Sequence, residues 1–411
     1  MPDVDLGAQV FDLVFNPKND IVYVGLLNGH VKAFSYDDEG SCTPKFDIRT
    51  TKKTVRSLTT GPEGRELYSV SKDKSIHVID TSTGKAVREQ AQTHESAINR
   101  VAHFMSMLAT GDDSGVVKLW DSRQLSPIRS YTHHFDYISD FIWLQDKKQL
   151  VATSGDGTLS VIDVRSSKIE PYAHSEDQED ELLSIVTIKD GKKVAVGTQT
   201  GIISIWNRGS GWGDCVDRLK GHPHSVDALA TLSEDVIATG SSDGLVRVVQ
   251  VLPNKLLGVI ADHGTFPIER LRTDRNGAWL ASASHDNILK MTDVRDALVD
   301  SDEEYPDEER SESDAEESER GLEDDSDSSS GSDDKEQGVE GGGRRKPTCS
   351  VDNDSEPDSN QFKARTTPTD SDSEPSPHPE PVSSRKRKQS NQPEAPGNKK
   401  GKVDTGFFDQ L

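Results

Sequence analysis

The sequence predicts an all-β fold: a seven-bladed β-propeller over residues 6–297, followed by a disordered tail that is acidic first and basic later. Three observations carry this. A tight polar turn followed by a short apolar strand recurs seven times, with centres at Gly29, Lys74, Gly115, Gly157, Gly201, Gly244 and Asn287, 41 to 45 residues apart. A period in this range is that of four-stranded propeller blades. Positions two and four after each centre are apolar in every repeat, with a mostly polar residue between them. Beyond residue 300 the apolar pattern stops and charge takes over.

The strand after each turn is the clearest element. Val31 and Ala33, Val117 and Leu119, and Leu289 and Met291 flank Lys32, Lys118 and Lys290, the period-two alternation of a strand with one face against a neighbour. Glycine or asparagine at the turn centre tolerates the positive φ of a tight hairpin, and Lys74 is the one poor fit. A second strand precedes each turn, as in Ile21–Leu26 or Val236–Gly240. Further upstream come the candidate innermost strands, such as Val10–Phe15 and Ile268–Leu271. Each unit thus supplies three clear strands and a vaguer outer one. No unit can bury both its faces alone, but stacking around an axis does so and limits exposed edges. Ring closure has two competing donors of the last outer strand: the N-terminal Pro2-Asp3-Val4-Asp5-Leu6, a poor strand former, and Val294–Val299.

The stretch Leu108 to Asp121 resembles a full WD repeat, so the propeller is identified as WD40-type. In that family a Trp late in the third strand hydrogen-bonds a strand Ser or Thr, and a turn Asp pairs with a His of the preceding loop. The resemblance supplies a structural tetrad in the third blade: His94, Thr110, Trp120 and Asp112 or Asp113, with Asp113 taken as the partner. Elsewhere the pattern is degraded, the Trp position reading Phe34, Ile79, Ile162, Trp206, Val249 and Thr292.

Composition bounds the rest. Cys42, Cys215 and Cys349 lie far apart, which supports neither a disulfide framework nor a metal site and fits a reducing compartment. The N-terminus lacks a basic region followed by an apolar stretch, and no apolar run is long enough to span a membrane. The net charge is −24, and residues 298–411 hold 31 acidic against 15 basic residues. The propeller keeps a mildly acidic remainder, a poor match for general nucleic-acid affinity, so direct RNA contact is left open.

Residues 298–342 are read as an acidic disordered segment, because such like-charge density with little apolar area cannot offset chain entropy. It is a solvating spacer or an arm for basic partners. Ser311, Ser313, Ser371 and Ser373 precede acidic residues and are candidate phosphosites. Residues 343–411 carry the basic clusters. Arg385, Lys386, Arg387 and Lys388, then Lys399, Lys400 and Lys402 across ten residues, resemble a bipartite nuclear-import signal read by an import receptor. The chain ends with Phe407 and Phe408 in a tail otherwise nearly free of aromatics, a candidate docking motif.

No motif for phosphate binding, nucleophilic catalysis or metal hydrolysis occurs, and His133-His134 reads as a degraded loop histidine. The chain is therefore read as a non-enzyme with no cofactor, no metal and no small-molecule substrate. Trp212, among small residues between Asn207 and Cys215, either packs over the fifth blade or is an exposed anchor for a partner.

Several stretches go beyond the general WD pattern: Val10 to Pro17, Trp206 to Arg218 before Gly221-His222, Ile268 to Leu271, and Ser282 to Asp286. With the tail's layout they are similar to the family of WD repeat-containing protein 55 and its fungal relatives. The resemblance implies a nucleolar protein of ribosomal RNA production and ribosome biogenesis, with pre-ribosomal proteins as partners and some cytoplasmic pool. A competing reading is a substrate receptor for a cullin-based ubiquitin ligase, for which Arg123 in Trp120-Asp121-Ser122-Arg123 is the candidate contact. A chromatin-associated adaptor is a third, requiring an acidic central pocket.

Overall fold

A computed structural model describes residues 3–295. They form seven antiparallel four-stranded sheets and no helix. In the first, Val10–Phe15 is innermost, followed outward by Ile21–Leu26, His30–Tyr36 and Cys42–Arg49. The seven innermost strands are Val10–Phe15, Val55–Thr60, Ile98–Phe104, Ile138–Leu144, Leu182–Ile188, Val226–Thr231 and Ile268–Thr273. Each packs on the next, and the seventh packs on the first, so the sheets stand as blades around an axis. The expected acidic and basic tail segments lie outside the described residues.

All seven turn centres have positive φ, including Lys74 at 72° and Asn287 at 66°. At Gly29 the need for glycine is also steric: a Cβ there would sit 2.1 Å from the Thr51 carbonyl oxygen. Lys74 accepts the left-handed backbone and sends its ammonium to the Glu95 carbonyl, 2.5 Å away.

The polar residue of the alternating strand does not mark an exposed face. Blades cover one another on both sides, so His77, Ser160 and Ser204 are buried there. The lysines reach upward instead. Lys32 donates to the Leu6 carbonyl and Lys118 to the Thr93 carbonyl, both at 2.8 Å, and Lys290 donates to that of Asp262. Each ties its strand to the loop entering its own blade.

The core is a set of clusters between neighbouring blades. Leu13, Val22 and Val24 of the first blade pack with Ala281, Leu289 and Met291 of the seventh, while Val70 and Ile76 of the second pack with Leu108 and Trp120 of the third. Each buried aliphatic side chain contributes about 1.5–3 kcal/mol relative to exposure, so every blade draws its stability from its neighbours.

The N-terminus closes the ring. Asp3–Asp5 pairs antiparallel with Ile288–Asp293, Asp3 facing Lys290 and Asp5 facing Ile288. The ring therefore begins at Asp3, before the expected start at residue 6. The segment is a poor strand former, but alternate residues suffice: Val4 packs on the core between the first and seventh blades, and Leu6 is buried in it. Val294, the start of the competing segment, is instead buried between the sixth and seventh blades, its N–H bonded to the Ala278 carbonyl.

Every innermost strand shifts register at its second residue. A bulge of this kind leaves one residue unpaired and re-aims its side chain. Just below the bulges lies a charged cluster. Arg270 of the seventh blade donates through Nε to Asp12 of the first at 3.0 Å, and through both terminal nitrogens to Asp140 of the fourth at 3.1 and 2.9 Å. Asp12 also accepts from Ser57 Oγ and Leu58 N. All three side chains are buried. Burial alone would depress the Arg270 pKa, but Asp140 and Asp12 hold it above the usual range.

Arg270→Met should cost roughly 3–5 kcal/mol, since it strands two buried carboxylates. Urea denaturation checks this, and an unchanged midpoint would show that the cluster does not hold the ring.

Candidate docking surface at the mouth of the axial channel

One face of the ring carries the tight turns and the loops entering the innermost strands. In the third blade these form a hydrogen-bonded chain. Trp120 Nε1–H donates to Thr110 Oγ1 at 2.8 Å. Thr110 Oγ1 lies 2.7 Å from His94 Nε2, and His94 Nδ1 lies 2.8 Å from Asp112 Oδ2. The consistent assignment is a neutral imidazole: the threonine hydroxyl donates to Nε2, and Nδ1–H donates to the carboxylate. Burial lowers the His94 pKa, which favours that form. Asp112 stays below its ordinary value because bonds from His94 and the backbone outweigh its burial.

The carboxylate is thus Asp112, not Asp113. Asp112 ends its strand with its side chain turned under the loop, where it also accepts from the Ser114 and Val116 N–H groups. Asp113 is one residue on, at the exposed corner of the turn.

Other blades keep parts of this chain. His263 joins Asp286 at 2.6 Å and Ser282 at 2.7 Å, and His134 joins Asp156 at 3.1 Å and Ser160 at 2.8 Å. His222 keeps Thr239 at 2.8 Å, but Asp243 is taken by Arg247. In the fifth blade Val196 stands where the third has Thr110, and the buried Trp206 Nε1 has no partner. These groups brace the loops.

The seven bulged residues, Phe11, Arg56, Asn99, Ser139, Leu183, Asp227 and Glu269, ring the channel mouth. The mouth is divided. On one side Phe11, Arg56 and Asn99 are buried, with the Arg56 guanidinium over the Phe11 ring, 5.7 Å from its centroid. On the other side are carboxylates. Tyr137 donates to Glu181 at 2.9 Å, and His285 bonds Glu269. Burial, then the charge of Glu269, push Asp227 up to about 7. Below the mouth Arg100 and Arg272 accompany Arg270, and burial with Arg270 nearby pulls Arg272 down to about 10. The acidic central pocket that a chromatin adaptor requires is present on one side of the mouth only, with Phe11 and Arg56 on the other.

Trp212 is not an exposed anchor. It is 6 % exposed and packs with Leu144 and Trp206, on the floor of a groove between the fourth and fifth blades. The neighbouring glycines leave room for the ring to fold inward. Arg123 is exposed, and its guanidinium clamps Asp121 through Nε at 3.0 Å and Nη2 at 2.6 Å. The same clamp joins Arg165 to Asp163 and Arg295 to Asp293, where no Trp precedes the Asp. The tail candidates, namely the four serines, the seven basic residues and Phe407 and Phe408, lie outside the described residues.

Comparison with known proteins decides the family. The WDR55 family model matches residues 1–297. The chain belongs to the WDR55 family. Among relatives, WD repeat-containing protein JIP5 of Laccaria bicolor is 53 % identical over 321 residues, covering 73 % of this chain and 77 % of the relative. WD repeat-containing protein 55 of Arabidopsis thaliana is 38 % identical over 301 residues, covering 72 % and 83 %. Its namesake in Rattus norvegicus is 35 % identical over 303 residues, covering 72 % and 78 %. The match spans all seven blades of this WDR55-family propeller, a scaffold for protein–protein contacts.

Burial, then Arg247, push His222 down to about 4 from its ordinary value of 6.5. Below pH 6.5 the unfolded chain takes up a proton that the folded chain refuses, so stability falls as pH drops from 6.5 toward 4. His222→Gln should flatten that part of the stability–pH profile in thermal melts. An unchanged slope would assign the acid sensitivity elsewhere.

Proposed function

We propose that the protein is a non-enzymatic scaffold of nucleolar ribosome biogenesis, acting in ribosomal RNA synthesis and processing by holding pre-ribosomal proteins. The observation that carries this is membership of the WDR55 family across the whole propeller. The polar network of the ring supports it, because His94, His134 and His263 are engaged with Asp112, Asp156 and Asp286 in bracing loops. Affinity purification from nuclei should recover pre-ribosomal proteins. A second reading, a substrate receptor of a cullin-based ubiquitin ligase, draws on the exposed Arg123 after Trp120-Asp121. Recovery of a ligase adaptor in place of pre-ribosomal proteins, lost on Arg123→Ala, would replace the first reading with the second.

Nuclear entry by way of an import receptor is part of the proposal. Its basis is sequence: two basic clusters spaced for two grooves of one receptor. Replacing Lys399, Lys400 and Lys402 with Ala should leave the melting curve unchanged and shift the protein out of the nucleus. Unaltered nuclear fluorescence would overturn this assignment. The four tail serines as phosphosites, and the paired phenylalanines as a docking motif, belong to the same proposal.

A further inference from the structure

The channel mouth holds features that the ring itself does not use. Asp227, Glu269 and Glu181 lie along one arc, contributed by three successive blades, and Tyr137 of the blade before joins them through its bond to Glu181. Among the described residues no Lys or Arg nitrogen is within ion-pair distance of any of the three. Glu269 pairs with His285 and lies near enough to Arg100 to act on its charge without an ion pair, and Asp227 accepts from Ser225 Oγ at 3.0 Å. Elsewhere on this face the turn carboxylates are engaged, as Asp112, Asp156, Asp243 and Asp286 show. Like charges gathered in a half-buried arc repel one another and are stabilised by an incoming cation.

Two further observations point to what enters. Phe135, in the loop that leads to Tyr137, is 92 % exposed, the most solvent-open of the large apolar side chains among the described residues, and Phe266 before the seventh innermost strand is also exposed. Phe135 is held outward because its own N–H is bonded to the Asp156 carboxylate at 2.9 Å. Across the mouth Arg56 is about nine-tenths buried, yet its Nε–H has no acceptor and its Nη1 makes only a long bond to Asn99 at 3.4 Å. An orphaned donor in a buried wall calls for an acceptor from outside. The carbonyl of an extended peptide is neutral, so it satisfies Arg56 without conflicting with the carboxylates opposite.

We propose that the channel mouth receives an extended lysine- or arginine-rich segment of a partner protein. One cationic side chain enters between Asp227 and Glu269, a backbone carbonyl accepts from Arg56, and a neighbouring aliphatic stem lies on Phe135. The arc supplies the charge complement, and the exposed ring supplies an apolar contact for the long stems of Lys and Arg. The buried Arg100, Arg270 and Arg272 below would repel a cationic chain, so the segment crosses the mouth and does not thread the ring. The inference adds a partner class to the scaffold reading above, and for its biological setting it rests on that reading.

The test is fluorescence anisotropy on the full-length protein, with a labelled twelve-residue peptide rich in Lys and Arg and a Glu-rich peptide as control. The wild type should bind the basic peptide only, and less tightly as salt rises. Asp227→Asn with Glu269→Gln should weaken binding about tenfold or more. Phe135→Ala, at a site too exposed to affect folding, should also weaken it severalfold. Absence of binding by the wild type overturns the proposal. So does equal affinity for both variants, which would place the contact on the acidic tail. A single-stranded RNA that binds in the peptide's place, with the same sensitivity to the three substitutions, also overturns it. Peptide binding that fails while pre-ribosomal proteins are still recovered from nuclei removes this inference alone. Intact peptide binding without such recovery removes the scaffold's ribosomal assignment alone.

Discussion

Arg270 holds a full positive charge at the centre of the ring, and the rest of the architecture is arranged so that it is never alone. Its guanidinium spans from the seventh blade to Asp12 in the first and Asp140 in the fourth. Blade packing is otherwise a matter between neighbours, since each apolar cluster joins two adjacent sheets. The ion cluster is of a different kind. Besides the adjacent first and seventh blades it ties in the fourth, which shares no apolar cluster with either, and it does so with directional bonds. Apolar packing tolerates sliding, whereas three charge-assisted bonds to one planar group fix angles as well as distances. The cluster thereby holds the first, fourth and seventh innermost strands to one another beneath the mouth.

The bulges connect this scaffold to its surface. One unpaired residue at the second position of every innermost strand turns seven side chains toward the opening. Because the backbone bonds above and below each bulge stay intact, those side chains are presented by rigid strands and not by free loops. The identities differ by sector, so a symmetric frame carries an asymmetric rim of aromatic and arginine on one side and carboxylates on the other. A seven-bladed ring assembled from repeats can in this way offer a single oriented site.

Much of the ring was legible in the sequence because the repeat is written in turns and apolar pairs. Both are local signals, and the period-two strands around Val117 and Leu289 follow from them directly. What stayed hidden depends on three dimensions. Asp112 and Asp113 are adjacent in a polar turn, and only the path of the backbone shows which one lies under His94. Trp212 among glycines has no local neighbours to bury it, and its burial comes from residues as distant as Leu144. The closing strand was open because Asp3-Val4-Asp5 is weak by propensity and is chosen by a partner some 285 residues away. The central cluster and the mouth did leave a trace: Asp12, Asp140, Arg270 and Asp227 interrupt strands otherwise read as apolar. A lone charge in such a strand says that a partner exists, but not which one.

The closing strand has a consequence for how the molecule is made. Translation delivers Asp3–Asp5 before any blade, and the edge they pair with, in Ile288–Asp293, emerges only when almost the whole propeller has been synthesised. Until then Leu6 has no pocket and the seventh sheet lacks its rim. This pairing cannot form until the far end of the domain is present, so closing the ring depends on a contact of very high sequence separation.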